Sequence, residues 1–338
     1  MLDQKHKIEY EKDKPEKRAK RLQDSLPLRY PFAIAIELSS DCNSNCYMCP
    51  RKNLTRAEGK MEFGLFKKII DELYKNKVVL RKLFLHWMGE PLLNGNFDKM
   101  IAYARENGIA EMIVMASNLI ALDEDKAKRL IDSGLDELFV SLDAVRQETY
   151  DKIKGNSATL KIVEDGIYRL VETRKKMNAS LPYIKLKILK SDVNKNEIEE
   201  FKEKWSPVVD EIYVEEDLNA WNGTNEDVNK NIKNDPLYTQ KIKLEIERWP
   251  CDRLWYQLAI SQDGLVSPCI ADWNGIGFIG SVKEMTIHDI WNSPELKEMR
   301  RKQVEGEYDK LKMCKDCQRW QFTDLKNWLS KNRDKALL

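Results

Sequence analysis

The 338-residue sequence contains no apolar run approaching the ~20 residues that a membrane-spanning helix needs. It also lacks an excess of either charge: 57 Lys and Arg stand against 56 Asp and Glu, a net +1. The first absence argues against a membrane partner, and the second against nucleic acid, which draws on a basic surplus or patch. A secretory signal is missing as well. Residues 1–24 mix eight basic with six acidic side chains and hold no apolar stretch. The expectation is a cytoplasmic protein, and its 42% hydrophobic content is enough to bury a core. Internal repeats and low-complexity tracts are absent.

Cysteine is missing from about two hundred consecutive residues, yet the chain has seven of them. Three fall together at Cys42, Cys46 and Cys49. The other four are Cys251, Cys269, Cys314 and Cys317. Disulfides are rare in a reducing compartment, and core cysteines scattered at random rarely sort into a three and a four. Metal ligation accounts better for this segregation.

Between the two groups, short β-rich runs alternate with longer helical ones. The strand candidates are 32–38, 82–87, 111–116, 137–142, 184–189 and 211–214, with helices over 64–76, 97–107, 123–133, 158–177 and 195–205. Repeats of about 30 residues imply parallel strands joined by helical crossovers. Six such α/β units can form either an open doubly wound sheet or a barrel-like one. In both, chemistry collects at the C-terminal strand ends.

Five segments follow. Residues 1–28 read as a charged N-terminal arm, solvated or a frayed helix; 29–218 as the main domain; 219–248 as a polar linker. Residues 249–320 form a second unit, with a hairpin turning at Asp263-Gly264 and a helix over 286–301. Residues 321–338 read as a polar tail.

The segment Asp41-Cys42-Asn-Ser-Asn-Cys46-Tyr-Met-Cys49 spaces three thiolates as C-x3-C-x2-C in the loop after the first strand. Thiolates are the usual ligands of a [4Fe–4S] cluster. Three of them leave one iron open, whereas a structural zinc site takes four ligands. This motif resembles the signature of the radical S-adenosylmethionine (SAM) superfamily. Its members fold as a partial (β/α)6 TIM-like barrel, and the open iron chelates the amino and carboxylate groups of SAM. Reductive cleavage then yields a 5′-deoxyadenosyl radical that abstracts hydrogen from the substrate. Many members carry an aromatic residue before the third cysteine. Here Met48 stands there and can offer its backbone to the adenine. At the end of the second strand, Gly89-Glu90-Pro91 resembles the family's G-G-E-P element, with Trp87-Met88 in the region of its first glycine. The resemblance implies that Gly89 and Glu90 bind the SAM amino group, and that Ser117, Asn118 and Ser141 at later strand ends meet its ribose or carboxylate. It covers about residues 30–215.

The second set, Cys251, Cys269, Cys314 and Cys317, suits zinc or iron–sulfur on ligand chemistry alone. With Gly264, Gln262-Asp263 and Ile287-x3-Trp291, it resembles the C-terminal SPASM/twitch extension of the superfamily. Four cysteines match the shorter twitch form, with a β-hairpin, a helix and one auxiliary [4Fe–4S] cluster. Trp249, Trp255, Trp273, Trp291 and Trp320 read as packing for that unit.

With every cysteine a ligand, no thiol is left to return a hydrogen atom to a substrate radical. A fully ligated second cluster could instead take the second electron. The pattern resembles the aminocyclitol dehydrogenase of butirosin biosynthesis and implies two-electron oxidation of a small hydroxylated molecule, with a flavodoxin- or ferredoxin-like protein as electron donor. His86 is the candidate base. Glu215, Glu216 and Asp217 are candidate substrate contacts or a solvated turn. Two other readings stand beside this one. The first is modification of a ribosomally made peptide, although only about thirty residues precede the first strand and no leader-binding domain is expected there. The second is a non-enzymatic iron–sulfur electron carrier, which needs neither an open triad nor Glu90.

Overall fold

The computed structural model describes residues 15–215 and 247–337, apart from 318, 324, 326 and 327. Nine strands form one sheet: β1 (Ala33–Ile36), β2 (Leu80–Phe84), β3 (Ala110–Ser117), β4 (Glu137–Ser141), β5 (Tyr183–Leu189), β6 (Glu211–Glu215), β7 (Gln257–Ile260), β8 (Leu265–Ser267) and β9 (Gly280–Ser281). Their order is β6-β5-β4-β3-β2-β1-β7-β8-β9, and β1 to β6 pair in parallel. Strands adjacent in sequence are therefore adjacent in space. A doubly wound sheet reverses its strand order midway; these six strands do not, so the sheet is a partial (β/α)6 barrel.

The two faces of each strand explain this curl. Ile34, Ile36, Leu83, Leu85, Ile113, Leu138, Val140, Ile184, Leu186 and Ile188 are fully buried. Each such side chain contributes about 1.5–3 kcal/mol on burial. The opposite face carries Phe139, Ser141, Lys185, Lys187, Tyr213 and Glu215, brought side by side by the registers Phe139↔Lys185, Ser141↔Lys187 and Lys187↔Tyr213. This concave polar face is the barrel interior.

Two sequence readings need correction, and one of two alternatives holds. Of the readings for the N-terminal arm, the helix is the one seen: Pro15–Ser25 is a helix, α1, and Ala19, Leu22 and Leu26 are buried in the main core. The polar tail packs too, burying Leu325, Leu329 and Ala336, and Trp255 Nε1 donates to Ala336 O at 2.7 Å. The helix expected over 286–301 is two helices, Ile287–Trp291 and Pro294–Val304. Pro294 cannot continue the first of them, and Ser293 caps the second by accepting the Leu296 N–H.

The hairpin forms as expected, turning at Gly264 with φ +91°. Its placement carried no local signal. β7 lies parallel to β1 in the register Ala33↔Gln257 to Ile36↔Ile260, so the C-terminal unit extends the barrel sheet. Trp255, Trp273 and Trp291 are buried side chains of this junction.

Candidate active site

Cys42, Cys46 and Cys49 occupy the loop after β1, each partly exposed. A short helix, Gln147–Lys154, pins this loop: Tyr47 N donates to Ile153 O at 2.9 Å, and Asn45 N to Ser157 Oγ at 2.8 Å. Gly155 ends that helix at φ +70°, and a Cβ there would lie 2.4 Å from Asn45 O. Arg51 Nε holds the far side by donating to Ser40 O at 2.6 Å. Burial, with the neighbouring Cys46, pushes the Cys42 thiol up to about 11 and the Cys49 thiol up to about 12. Without metal these groups are thiols, and a metal bound there would displace their protons.

Gly89 sits against this loop at φ +77°, where a Cβ would lie 2.3 Å from Ser39 O and 2.7 Å from Asp41 O. Only glycine fits that cradle. Next to it, Glu90 N donates to Asp41 O at 2.7 Å. The buried Glu90 carboxylate accepts from Leu92 N (3.0 Å), Ser117 Oγ (2.8 Å) and Asn118 N (2.7 Å). Burial raises its pKa while these donors oppose the rise. The result is a carboxylate held in one orientation. Ser117 is thus turned onto Glu90, and its Oγ also receives Leu119 N at 3.0 Å. Asn118 Nδ2 donates to Asn43 Oδ1 at 2.9 Å and lies 3.8 Å from Cys42 Sγ. Met48 packs with Ile153 and Leu189. A cleft of about 160 Å³ is lined by the three cysteines, Met48, Gly89, Glu90, Ser117, Asn118 and Ser141, along with Asp143, Lys154 and Lys187.

The barrel interior continues from this cleft. Lys187 Nζ donates to Glu215 Oε2 at 2.8 Å, and Lys185 pairs with Glu137 and Glu211. Lys154 pairs with Asp143, both buried. His86 shows its ring to Phe84, edge-on with centroids 5.7 Å apart, and its buried Nδ1 has no partner. Burial, aided by the Lys187 charge, brings its pKa down to about 4. Glu216 and Asp217 lie outside the described residues; Glu215 is engaged by Lys187.

Cys251, Cys269, Cys314 and Cys317 face one largely enclosed pocket with Arg248, Arg253, Asp272, Gln303 and Trp320. Burial, reinforced by neighbouring groups, pushes Cys269 up to about 11 and raises Cys251 and Cys314 as well. Cys269 Sγ accepts from Ala271 N at 3.4 Å and from Gln257 Nε2 at 3.9 Å. Several buried N–H groups at this pocket lack partners: Arg248 Nε, Arg253 Nε and Gln303 Nε2. Among the described residues no three His, Cys, Asp or Glu side chains close on a single-ion geometry. Thiols gathered around a pocket, with unsatisfied donors beside them, fit an anionic cluster of several irons.

One pair was not singled out from the sequence. Glu37 and Arg56 form a bidentate ion pair, 0% and 5% exposed, with N···O distances of 2.6 and 2.7 Å. Glu37 also accepts Met88 N (3.1 Å) and Gln262 N (3.2 Å). Arg56 donates to Trp273 O (2.8 Å) and stacks over Trp87 at 4.9 Å. Trp87 Nε1 in turn donates to Ile270 O at 2.7 Å, next to Cys269. The pair joins β1, the Gly89 loop and the C-terminal hairpin. Its one signal in the sequence was a glutamate closing the apolar run Ala33–Ile36.

A partial barrel with an open three-thiol site at its strand ends, and a separate four-thiol site, defines a class of enzyme that builds radicals from SAM. The chain belongs to the radical SAM superfamily: residues 36–203 match the family model of that name, and residues 251–318 match SPASM, an iron–sulfur cluster-binding domain. The chain is a radical SAM enzyme, and its cofactors are SAM and two [4Fe–4S] clusters, one of them auxiliary.

The S-adenosyl-L-methionine-dependent 2-deoxy-scyllo-inosamine dehydrogenase of Niallia circulans is 21% identical over 289 residues, 84% of this chain and 91% of that protein. The tungsten-containing aldehyde ferredoxin oxidoreductase cofactor-modifying protein of Pyrococcus furiosus is 25% identical over 167 residues, so the chain spans about half of its length (46%). The crystal structure of BtrN in complex with AdoMet and 2-DOIA matches with TM-score 0.53 and 21% identity over 85% of this chain and 92% of that one, a likeness of fold. No helix among the described residues is long and apolar enough to cross a membrane.

Proposed function

We propose that this enzyme removes two electrons and two protons from a small hydroxylated molecule, a sugar or aminocyclitol, converting an alcohol to a ketone. The observation that carries this reading is that all seven cysteines fall into two ligand sets. No thiol is left to return a hydrogen atom to the substrate, and an electron acceptor stands in its place. The similarity to the Niallia circulans dehydrogenase supports the same substrate class.

When bound, the triad cluster with SAM supplies a hydrogen-abstracting 5′-deoxyadenosyl radical, and the auxiliary cluster supplies a one-electron acceptor. The remaining work falls to side chains. Glu90, fixed by three donors, receives the SAM ammonium group. Gly89 lets the backbone approach, and Met48 lends its own to the adenine. Asn118 and Ser141 meet the ribose and carboxylate, while Ser117 orients Glu90. Lys187 and Glu215, paired on the concave face, offer a donor and an acceptor to substrate hydroxyls. His86, neutral at physiological pH, is assigned the hydroxyl proton.

In this reading residues 29–218 generate the radical, 249–320 take up the electron, and 219–248 link the two. The chemistry belongs in the reducing cytoplasm with a flavodoxin- or ferredoxin-like donor. The test is anaerobic incubation of reduced, reconstituted enzyme and SAM with aminocyclitols, sugars and peptides, followed by mass spectrometry. A small-molecule product lighter by two hydrogens, formed with 5′-deoxyadenosine, supports the proposal. A modified peptide alone, or product without 5′-deoxyadenosine, contradicts it.

A further inference from the structure

The pocket of the four C-terminal cysteines is surrounded by cationic and amide donors whose hydrogen bonds are left open. Arg253 is the clearest of these. It is partly buried beside Cys251 and Cys269, and its Nε, which is buried, has no partner. No described carboxylate forms an ion pair with it. Asp252, its chain neighbour, turns one oxygen to Leu325 N at 3.1 Å. Asp272 is likewise occupied: its carboxylate accepts from Ser267 Oγ (2.8 Å), Ile276 N (2.9 Å) and Gly277 N (2.9 Å).

Two further donors are locked in place by their own second contacts. Gln303 Oε1 accepts Cys251 N at 3.0 Å, which fixes the amide so that Nε2 faces Cys314. Arg248 donates through Nη2 to Cys314 O (2.8 Å) and through Nη1 to Lys315 O (3.1 Å), lies over the Tyr308 ring at 4.3 Å, and keeps Nε unpartnered in the same pocket. Buried N–H groups without acceptors cost free energy. An anionic cluster in the pocket supplies what all three lack.

We propose that Arg253, helped by Gln303 and Arg248, donates N–H···S hydrogen bonds to the auxiliary cluster and raises its reduction potential, so that the cluster accepts the substrate's second electron. The step is a one-electron reduction in which no bond forms or breaks. The cluster with its four thiolates gains one negative charge, and the adjacent guanidinium stabilises that reduced form more than the oxidised one. Hydrogen bonds to the sulfurs and local charge are the levers by which a protein sets such a potential. The proposal rests on the cluster being iron–sulfur, and not on the identity of the substrate.

The experiment is an EPR-monitored potentiometric titration of full-length, doubly reconstituted protein, with Cys42/Cys46/Cys49→Ala used to assign the C-terminal signal. Arg253→Gln is expected to make the auxiliary cluster at least tenfold harder to reduce, a fall of about 59 mV for one electron. An unchanged midpoint at full iron and sulfide content overturns the proposal. Zinc in place of iron overturns the cluster itself, and the metal analysis tells the two failures apart.

Should Arg253→Gln not assemble the cluster, the wild-type protein labelled with ¹⁵N-arginine decides. A nitrogen coupling in the reduced auxiliary signal that weakens in Arg253→Lys supports the proposal. No coupling, or one unchanged in that variant, contradicts it.

Discussion

The two cysteine groups set the same side chain in opposite surroundings. The triad lies on a loop at the mouth of the barrel, held mainly through backbone contacts to the Gln147–Lys154 helix, and it opens into a polar cleft. The quartet faces an enclosed pocket beside three N–H groups without acceptors, Arg248 Nε, Arg253 Nε and Gln303 Nε2. Three ligands beside an open cleft leave room for a small molecule on the metal; four ligands in a closed pocket leave none. The first arrangement suits bond cleavage and the second electron storage. The buried Glu37–Arg56 pair and the Trp87 stack lie between the sites and fix their relative placement.

Removing one site while sparing the other gives the largest expected effect. Cys42/Cys46/Cys49→Ala is expected to abolish reductive SAM cleavage, read as 5′-deoxyadenosine, while the protein stays folded. Residual cleavage at wild-type rate would mean that the quartet, not the triad, handles SAM.

Breaking the strut between the sites should come next. Arg56→Met strands the Glu37 carboxylate, which is fully buried, and breaking such a pair costs about 3–5 kcal/mol. Thermal unfolding should reveal a large drop in Tm; a change within error would mean that the hairpin docks through apolar contacts alone.

Gly89→Ala should also cost stability, about 1–3 kcal/mol for the left-handed backbone conformation alone, before the overlap of its Cβ with Ser39 O and Asp41 O. Its diagnostic effect is on the open site: SAM affinity by calorimetry should fall at least tenfold, with the auxiliary cluster unaltered.

The smallest effect concerns His86, whose folded pKa is depressed to about 4 from an ordinary 6.5. The unfolded chain binds this proton more readily, so stability falls as pH drops from about 6.5 towards 4. Between pH 7 and 5, His86→Phe should flatten the stability profile by about 1–2 kcal/mol. Denaturant unfolding at the two pH values measures the difference. An equal slope in both proteins would mean that His86 is not held neutral.

Much of this was legible in the sequence, for physical reasons that differ by element. The strands of the barrel announced themselves because both the pleat and the crossover length leave periodic marks, and all six lie within a few residues of their expected places. The cysteine triad and Gly89-Glu90 stood out because their chemistry demands particular residue types at particular spacings. The parallel pairing of β7 with β1 did not show, since it joins residues more than two hundred positions apart without a local turn. The Gln147–Lys154 helix was missed because its short, charged stretch buries only Thr149, Tyr150, Ile153 and Lys154. Arg56 looked like one more charge in a polar loop; only the fold brings it to Glu37. Ser117, read as a SAM contact, is turned instead onto Glu90, a partner that the sequence hid because it comes from another strand end.

The central claim is two independent iron–sulfur sites, and metal analysis tests it most directly. Iron and acid-labile sulfide should be measured in anaerobically reconstituted wild type and in Cys42/Cys46/Cys49→Ala. The account predicts about eight irons per chain falling to about four. About four falling to nearly none, with one zinc retained, would make the quartet structural and leave the enzyme without its second-electron acceptor.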